Sequence, residues 1–136
     1  MTAVQDITVG TELSALKINP ISRTTLALFA GASGDHNPMH IDIDVAKSAG
    51  LDDVFTHGML SMAYLGRLLT DWVDPQAIRS YRVRFAAITP LQARPTATGT
   101  ITAIDHVDGE RRATLSLTVT LDDGTVTLTG DAVVAV

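Results

Sequence analysis

The densest run of groups able to move protons is Gly34-Asp35-His36-Asn37-Pro38-Met39-His40. An imidazole titrates nearest to neutral pH, and a carboxylate that reaches the same water can share the proton transfer. Asp35 and His40 are five residues apart with Pro38 between them, so a bend at the proline brings both groups to bear on one water. The same residues also have a purely structural use: Asp35 and Asn37 suit Asx turns, and His40 can cap or pack. A second segment, Phe55-Thr56-His57-Gly58-Met59, opens a long apolar run. With Thr56 as the helix N-cap, the Gly58 amide falls in the first turn, where no carbonyl of the same helix can accept it. Glycine there admits a ligand carbonyl closely, and the amide and helix dipole would stabilise an oxygen gaining negative charge. The plainer alternatives are close helix–sheet packing for Gly58 and a helix-start hydrogen bond for His57.

These two segments must be held by the elements around them. Glu12 to Asn19 alternates weakly and reads as a first strand ending at Pro20. Ser22 is an N-cap candidate for a short amphipathic helix from Arg23 through Ala30, which Gly31 and Gly34 keep short, leaving 33–40 as loop. Val45 to Ala49 reads as another short helix, with Asp42 or Asp44 at its start and Gly50 after its end. From Thr56 to Trp72 the residues Met59, Leu60, Met62, Ala63, Leu65, Leu68 and Leu69 leave almost no polar face, which predicts a helix buried on all sides.

Four strands follow, near Arg79 to Ile88, Ala93 to Ile104, Arg112 to Leu121 and Val126 to Val136. In the third, Ala113, Leu115, Leu117, Val119 and Leu121 alternate with Arg112, Thr114, Ser116, Thr118 and Thr120, giving one dry and one wet face. Asp108-Gly109 and Asp123-Gly124 supply hairpin turns. An α+β domain results, residues 1–136 in one unit, with a curved antiparallel sheet wrapped around the apolar helix.

Composition removes several function classes. Cysteine is absent, so there is no disulfide scaffold, thiolate metal site or cysteine nucleophile. The net charge is −5 and no run of Lys or Arg tracks a phosphate backbone, which argues against nucleic acid as partner. Arg82 and Arg84 share a strand face and read as solvated. Met1 to Gly10 carries Asp6 and no apolar stretch, so the expectation is a cytoplasmic chain without membrane attachment.

Together, the segment from Phe29 to His40, followed by Ala46, resembles the hydratase motif of (R)-specific enoyl-CoA hydratases and MaoC-like dehydratases. His57-Gly58-Met59-Leu60 resembles its companion motif, and the likeness extends through Arg82-Val83-Arg84-Phe85 over nearly the whole chain. It also takes in the catalytic subunits of actinobacterial hydroxyacyl-ACP dehydratases. The resemblance implies a hotdog fold and a homodimer or a heterodimer with a related subunit. It also implies an acyl-CoA or acyl-ACP thioester substrate, and neither metal nor organic cofactor. It carries the acid/base roles to Asp35 and His40, a structural role to Asn37, the carbonyl-binding amide to Gly58 and support to His57. Some relatives place a supporting serine inside the buried helix; Gly66 occupies that position here, and Ser61 lies earlier on the same helix. Three rivals remain at this stage: a hotdog thioesterase, a non-catalytic subunit of a two-subunit dehydratase, and a metal hydrolase using Asp35, His36, His40 and His57. The last lacks any HExxH-like spacing.

Overall fold

The computed structural model describes residues 3–136. Five strands form one antiparallel sheet: β1 (Leu16–Lys17), β2 (Ile78–Phe85), β3 (Thr96–Val107), β4 (Glu110–Thr120) and β5 (Val126–Ala135), in the order β1-β3-β4-β5-β2. β2 skips past β3 and β4 to pair with β5, leaving it at one edge of the sheet. Three helices precede β2 in the chain: α1 (Arg23–Ser33), α2 (Ile43–Ser48) and α3 (Gly58–Thr70).

The alternation read in the fourth strand is what sets the dry face. Ala113, Leu115, Leu117 and Val119 are fully buried and pack with Leu65, Leu68 and Leu69 of α3 and with Ile101, Leu128 and Val134 of the neighbouring strands. Gly99 lets α3 approach closely, since a side chain there would run into Leu117 and Leu68. At the β3–β4 turn, Asp108 and Gly109 both hold positive φ, 53° and 77°, as a type I′ hairpin requires. Arg82 and Arg84 lie on the outer face, with Arg82 paired to Asp131, as expected of a solvated strand.

Several boundaries differ from the sequence reading. Only Leu16–Lys17 of the expected first strand pairs regularly; Glu12 makes an isolated bridge to Thr100, and Leu13 donates to the Gly99 carbonyl. β2 ends at Phe85 because Ala86 and Ala87 both direct their amides at the single carbonyl of Thr127. α2 starts at Ile43, capped by Asp42, whose carboxylate accepts the amides of Asp44 and Val45. α3 starts one residue later than expected: His57 and not Thr56 is its N-cap, with the His57 carbonyl accepting the Leu60 and Ser61 amides, while the Thr56 amide is held outside the helix by the Thr89 carbonyl at 2.9 Å.

α3 is also not buried on all sides. Met59, Ala63, Arg67 and Thr70 form an exposed stripe, because a single five-stranded sheet covers only one side of a helix. Among the described residues no helix is long and apolar enough to cross a membrane.

Candidate active site

The loop after α1 is a chain of side-chain-to-backbone turns. Gly34, at φ +77°, ends the helix and donates to the Ala30 carbonyl; Ser33 Oγ then accepts the Asp35 amide at 3.1 Å. Asp35 Oδ1 accepts the Asn37 amide at 3.2 Å, and Asn37 Oδ1 accepts the Met39 amide at 3.1 Å. Pro38–His40 is a single 3-10 turn that closes when the His40 amide donates to the Asn37 carbonyl. The Asx turns expected as the plain reading therefore exist, and they are what aims the reactive side chains. Asn37 shapes the bend that carries His40 inward.

His40 is buried, and its Nδ1 stands 2.7 Å from the Phe55 carbonyl. A carbonyl oxygen only accepts, so Nδ1 carries the proton and Nε2 presents a lone pair when the ring is neutral. His57 stacks on His40 with ring centroids 4.1 Å apart and an interplanar angle of 27°. By the same reasoning its Nε2–H donates to the Asp35 carbonyl at 3.2 Å, while Nδ1 is buried without a partner. Phe29 of α1 meets the same ring edge-on, with centroids 4.8 Å apart. Burial pushes the His57 imidazole below its ordinary value, the charge of nearby His40 adds to that, and contacts with Asp35 oppose it. His57 is thus held as the neutral ring beneath His40.

One carboxylate oxygen of Asp35 and one ring nitrogen each of His40 and His57 lie within 4.8 Å of one another. Such a set can bridge a water, and its donor chemistry also suits a divalent ion of the zinc type. His36 is exposed and stands outside the trio.

On the other side of the His57–Gly58 step opens a cavity of about 320 Å³, with Phe55, Thr56, Gly58, Ser61, Phe85 and Thr89 in its wall. Gly58 is the first residue of α3, so its amide has no carbonyl within the helix to accept it. A Cβ at this position would lie 3.1 Å from the Phe85 ring, so glycine is what leaves room at the helix tip. Phe55 joins the two halves of the site: its carbonyl holds His40 and the residue lines the cavity.

The same chain matches the family model of the MaoC like domain over residues 4–122. It belongs to the MaoC-like family. An (R)-specific enoyl-CoA hydratase of Rhodospirillum rubrum is 34% identical over 134 residues, 97% of this chain and 90% of the relative. Among solved structures, the chain is similar to an (R)-hydratase from A. caviae involved in PHA biosynthesis (TM-score 0.82, 25% identity, covering 96% of this chain and 98% of that one). It is also similar to a chain of the ChsH1-ChsH2 complex from Mycobacterium tuberculosis (TM-score 0.80, 26% identity, 94% and 97% covered). The curled sheet around α3 is the hotdog fold that the motif resemblance implies.

Within this MaoC-like domain, Gly66 meets the ring of Tyr81, to which a Cβ would come within 3.4 Å. Tyr81 in turn donates its hydroxyl to the Met62 carbonyl at 2.6 Å, and burial holds its phenol far above the ordinary range. The position that carries a serine in some relatives is therefore packed with an aromatic. Ser61 instead reaches the cavity wall, where its Oγ lies 3.4 Å from Thr89 Oγ1. Sequence reasoning did not place Thr89 in this region, and gave Phe29 and Phe85, which lie within the motif segments it quoted, no part in it. Ser61 left a signal of another kind, three residues past Gly58 and hence on the same helical face.

Proposed function

We propose that this chain catalyses the reversible addition of water to trans-2-enoyl thioesters, forming (R)-3-hydroxyacyl thioesters. The observation that carries the reading is the meeting of an Asp35 carboxylate oxygen and a His40 ring nitrogen within 4.8 Å, with Gly58 in the wall of a neighbouring cavity that Phe55, whose carbonyl holds His40, also lines. The thioester oxygen accepts the Gly58 N–H, which draws electron density from C3 and stabilises the enolate-like oxygen that follows. Asp35 and His40 hold one water between them. As its hydroxyl adds to C3, the pair takes its proton and delivers a proton to C2; dehydration runs the same path backwards. His40 suits this role because the Phe55 carbonyl fixes its proton on Nδ1, leaving Nε2 to accept. Asn37 and His57 position the pair.

No step calls on a metal or organic cofactor, since the thioester delocalises the developing charge and the helix tip stabilises the oxygen. CoA and acyl carrier protein are both admissible carriers, and the setting is the cytoplasm. The unpaired edge of β2, the exposed Met59 stripe and the half-exposed Phe85 and Ile88 around the cavity mouth support pairing with a second hotdog chain, identical or related. A chain similar to this one occurs in the ChsH1-ChsH2 complex, which supports such a pairing.

The test is hydration of crotonyl-CoA, followed by loss of the enoyl-thioester absorbance, with wild type, Asp35→Asn and His40→Ala. Turnover by wild type with kcat lowered about 10²- to 10⁴-fold in each folded variant supports the assignment. Near-normal turnover in either variant removes it. Release of free thiol from saturated acyl-CoA would instead identify a thioesterase.

A further inference from the structure

One residue holds His40 in two ways. The Phe55 carbonyl accepts the Nδ1 proton at 2.7 Å, and the Phe55 ring meets the imidazole nearly at right angles, with centroids 4.7 Å and planes 78° apart. The carbonyl fixes a single atom and leaves the imidazole free to tip about that bond. The aromatic contact removes the freedom, together with the His57 ring stacked at 4.1 Å. Phe55 is itself pinned: it bridges to Pro90 across the fold, and its amide donates to the Met39 carbonyl at 3.4 Å. The next amide, of Thr56, is held by the Thr89 carbonyl at 2.9 Å. Phe55 also lines the cavity whose wall includes Gly58, three positions further along the chain. Residues 55–58 thus connect the side chain that carries protons to the amide at the tip of α3, and the connection is anchored at Phe55 and Thr56.

We propose that Phe55 is a positioning residue for the hydration step, its ring holding the His40 imidazole in the plane from which Nε2 takes the proton of water. The inference rests on the hydratase reading, which gives proton transfer to His40 and the thioester oxygen to the Gly58 amide. Leucine at this position keeps the backbone carbonyl, and with it the proton on Nδ1. It also keeps an apolar side chain in the cavity wall beside Phe85, Ile88 and Leu128. What leucine lacks is the edge-to-face contact, which for an aromatic pair corresponds to about two- to ten-fold in an equilibrium. The loss falls on kcat, because a reacting group displaced by about 1 Å can lose roughly 10²-fold in rate while the substrate still binds. A residue that served only as cavity wall would show the opposite split, with KM rising and kcat kept.

The experiment measures kcat and KM for crotonyl-CoA hydration by wild type, Phe55→Leu, Phe55→Tyr, His40→Ala and the Phe55→Leu/His40→Ala double variant, using the full chain in its native oligomeric state. Melting temperatures establish that each is folded, and Phe55→Met carries the same test if leucine does not fold. Phe55→Leu should lower kcat about ten-fold with KM changed less than about two-fold, and Phe55→Tyr, which keeps the ring, should restore most of the rate. In the His40→Ala background the leucine substitution should cost nothing further, because the ring acts through His40. Wild-type kcat in folded Phe55→Leu overturns the inference, as does a loss confined to KM or one of equal size with and without His40. Absence of crotonyl-CoA hydration by wild type would instead sink the hydratase reading, and the inference with it.

Discussion

Replacing Gly58 by alanine is the most direct probe of the helix tip. The added Cβ would stand 3.1 and 3.2 Å from two carbons of the Phe85 ring, against an ordinary carbon contact of about 3.5–4.0 Å. Either the ring or the start of α3 must give by several tenths of an ångström. Phe85 is half-exposed and can swing aside, so the fold survives, and alanine at a first helical position improves local propensity. Melting temperature should therefore stay level or rise slightly. Activity behaves differently, because the methyl group and the displaced ring both intrude where the thioester oxygen docks. Loss of one oxyanion donor costs roughly 10²- to 10³-fold, and a partial misalignment should cost about 10²-fold in kcat/KM, or about 2.7 kcal/mol of transition-state stabilisation. Crotonyl-CoA hydration measures it. Phe85→Leu in the alanine background relieves the clash and should recover part of the loss. A folded Gly58→Ala protein with wild-type kcat/KM would show that no substrate oxygen meets this amide.

Other consequences are equally accessible. Burial depresses the His57 imidazole in the folded state, so unfolded chains bind the extra proton first; this contribution is complete above the ordinary histidine range and fades as pH falls through the lowered value. Melting curves of wild type at pH 7 and pH 5 should show that loss, and His57→Phe should show less of it; an identical pH dependence in both refutes the assignment. Chelator treatment should leave crotonyl-CoA turnover unchanged, whereas activity lost to chelator and restored by stoichiometric zinc would turn the Asp35, His40 and His57 trio into a metal centre. Tyr81→Phe removes the hydroxyl that meets the Met62 carbonyl and should cost about 1 kcal/mol in denaturant unfolding; no change would mean that bond contributes nothing net.

Much was legible in the order of residues alone. The alternation from Ala113 to Leu121, the hairpin at Asp108-Gly109 and the apolar run after Gly58 are local patterns, each enforced by the period of one element, so the sheet around a helix followed from them. The bend that brings Asp35 and His40 near each other was legible because Asx turns and a proline act within a few residues. Tertiary structure decided what contacts across long separations decide. The Thr89 carbonyl holds the Thr56 amide just before α3, which starts at Gly58, a contact across the fold that no local propensity foretells. The Phe55 carbonyl chose the His40 tautomer, and the stacking of His57 beneath that ring, with Phe29 edge-on to His57, joined three separate segments into one neutral support. Tyr81 filled the space over Gly66, so the wall hydroxyl fell to Ser61. A sequence states which groups are near along the chain; only packing states which are near in space.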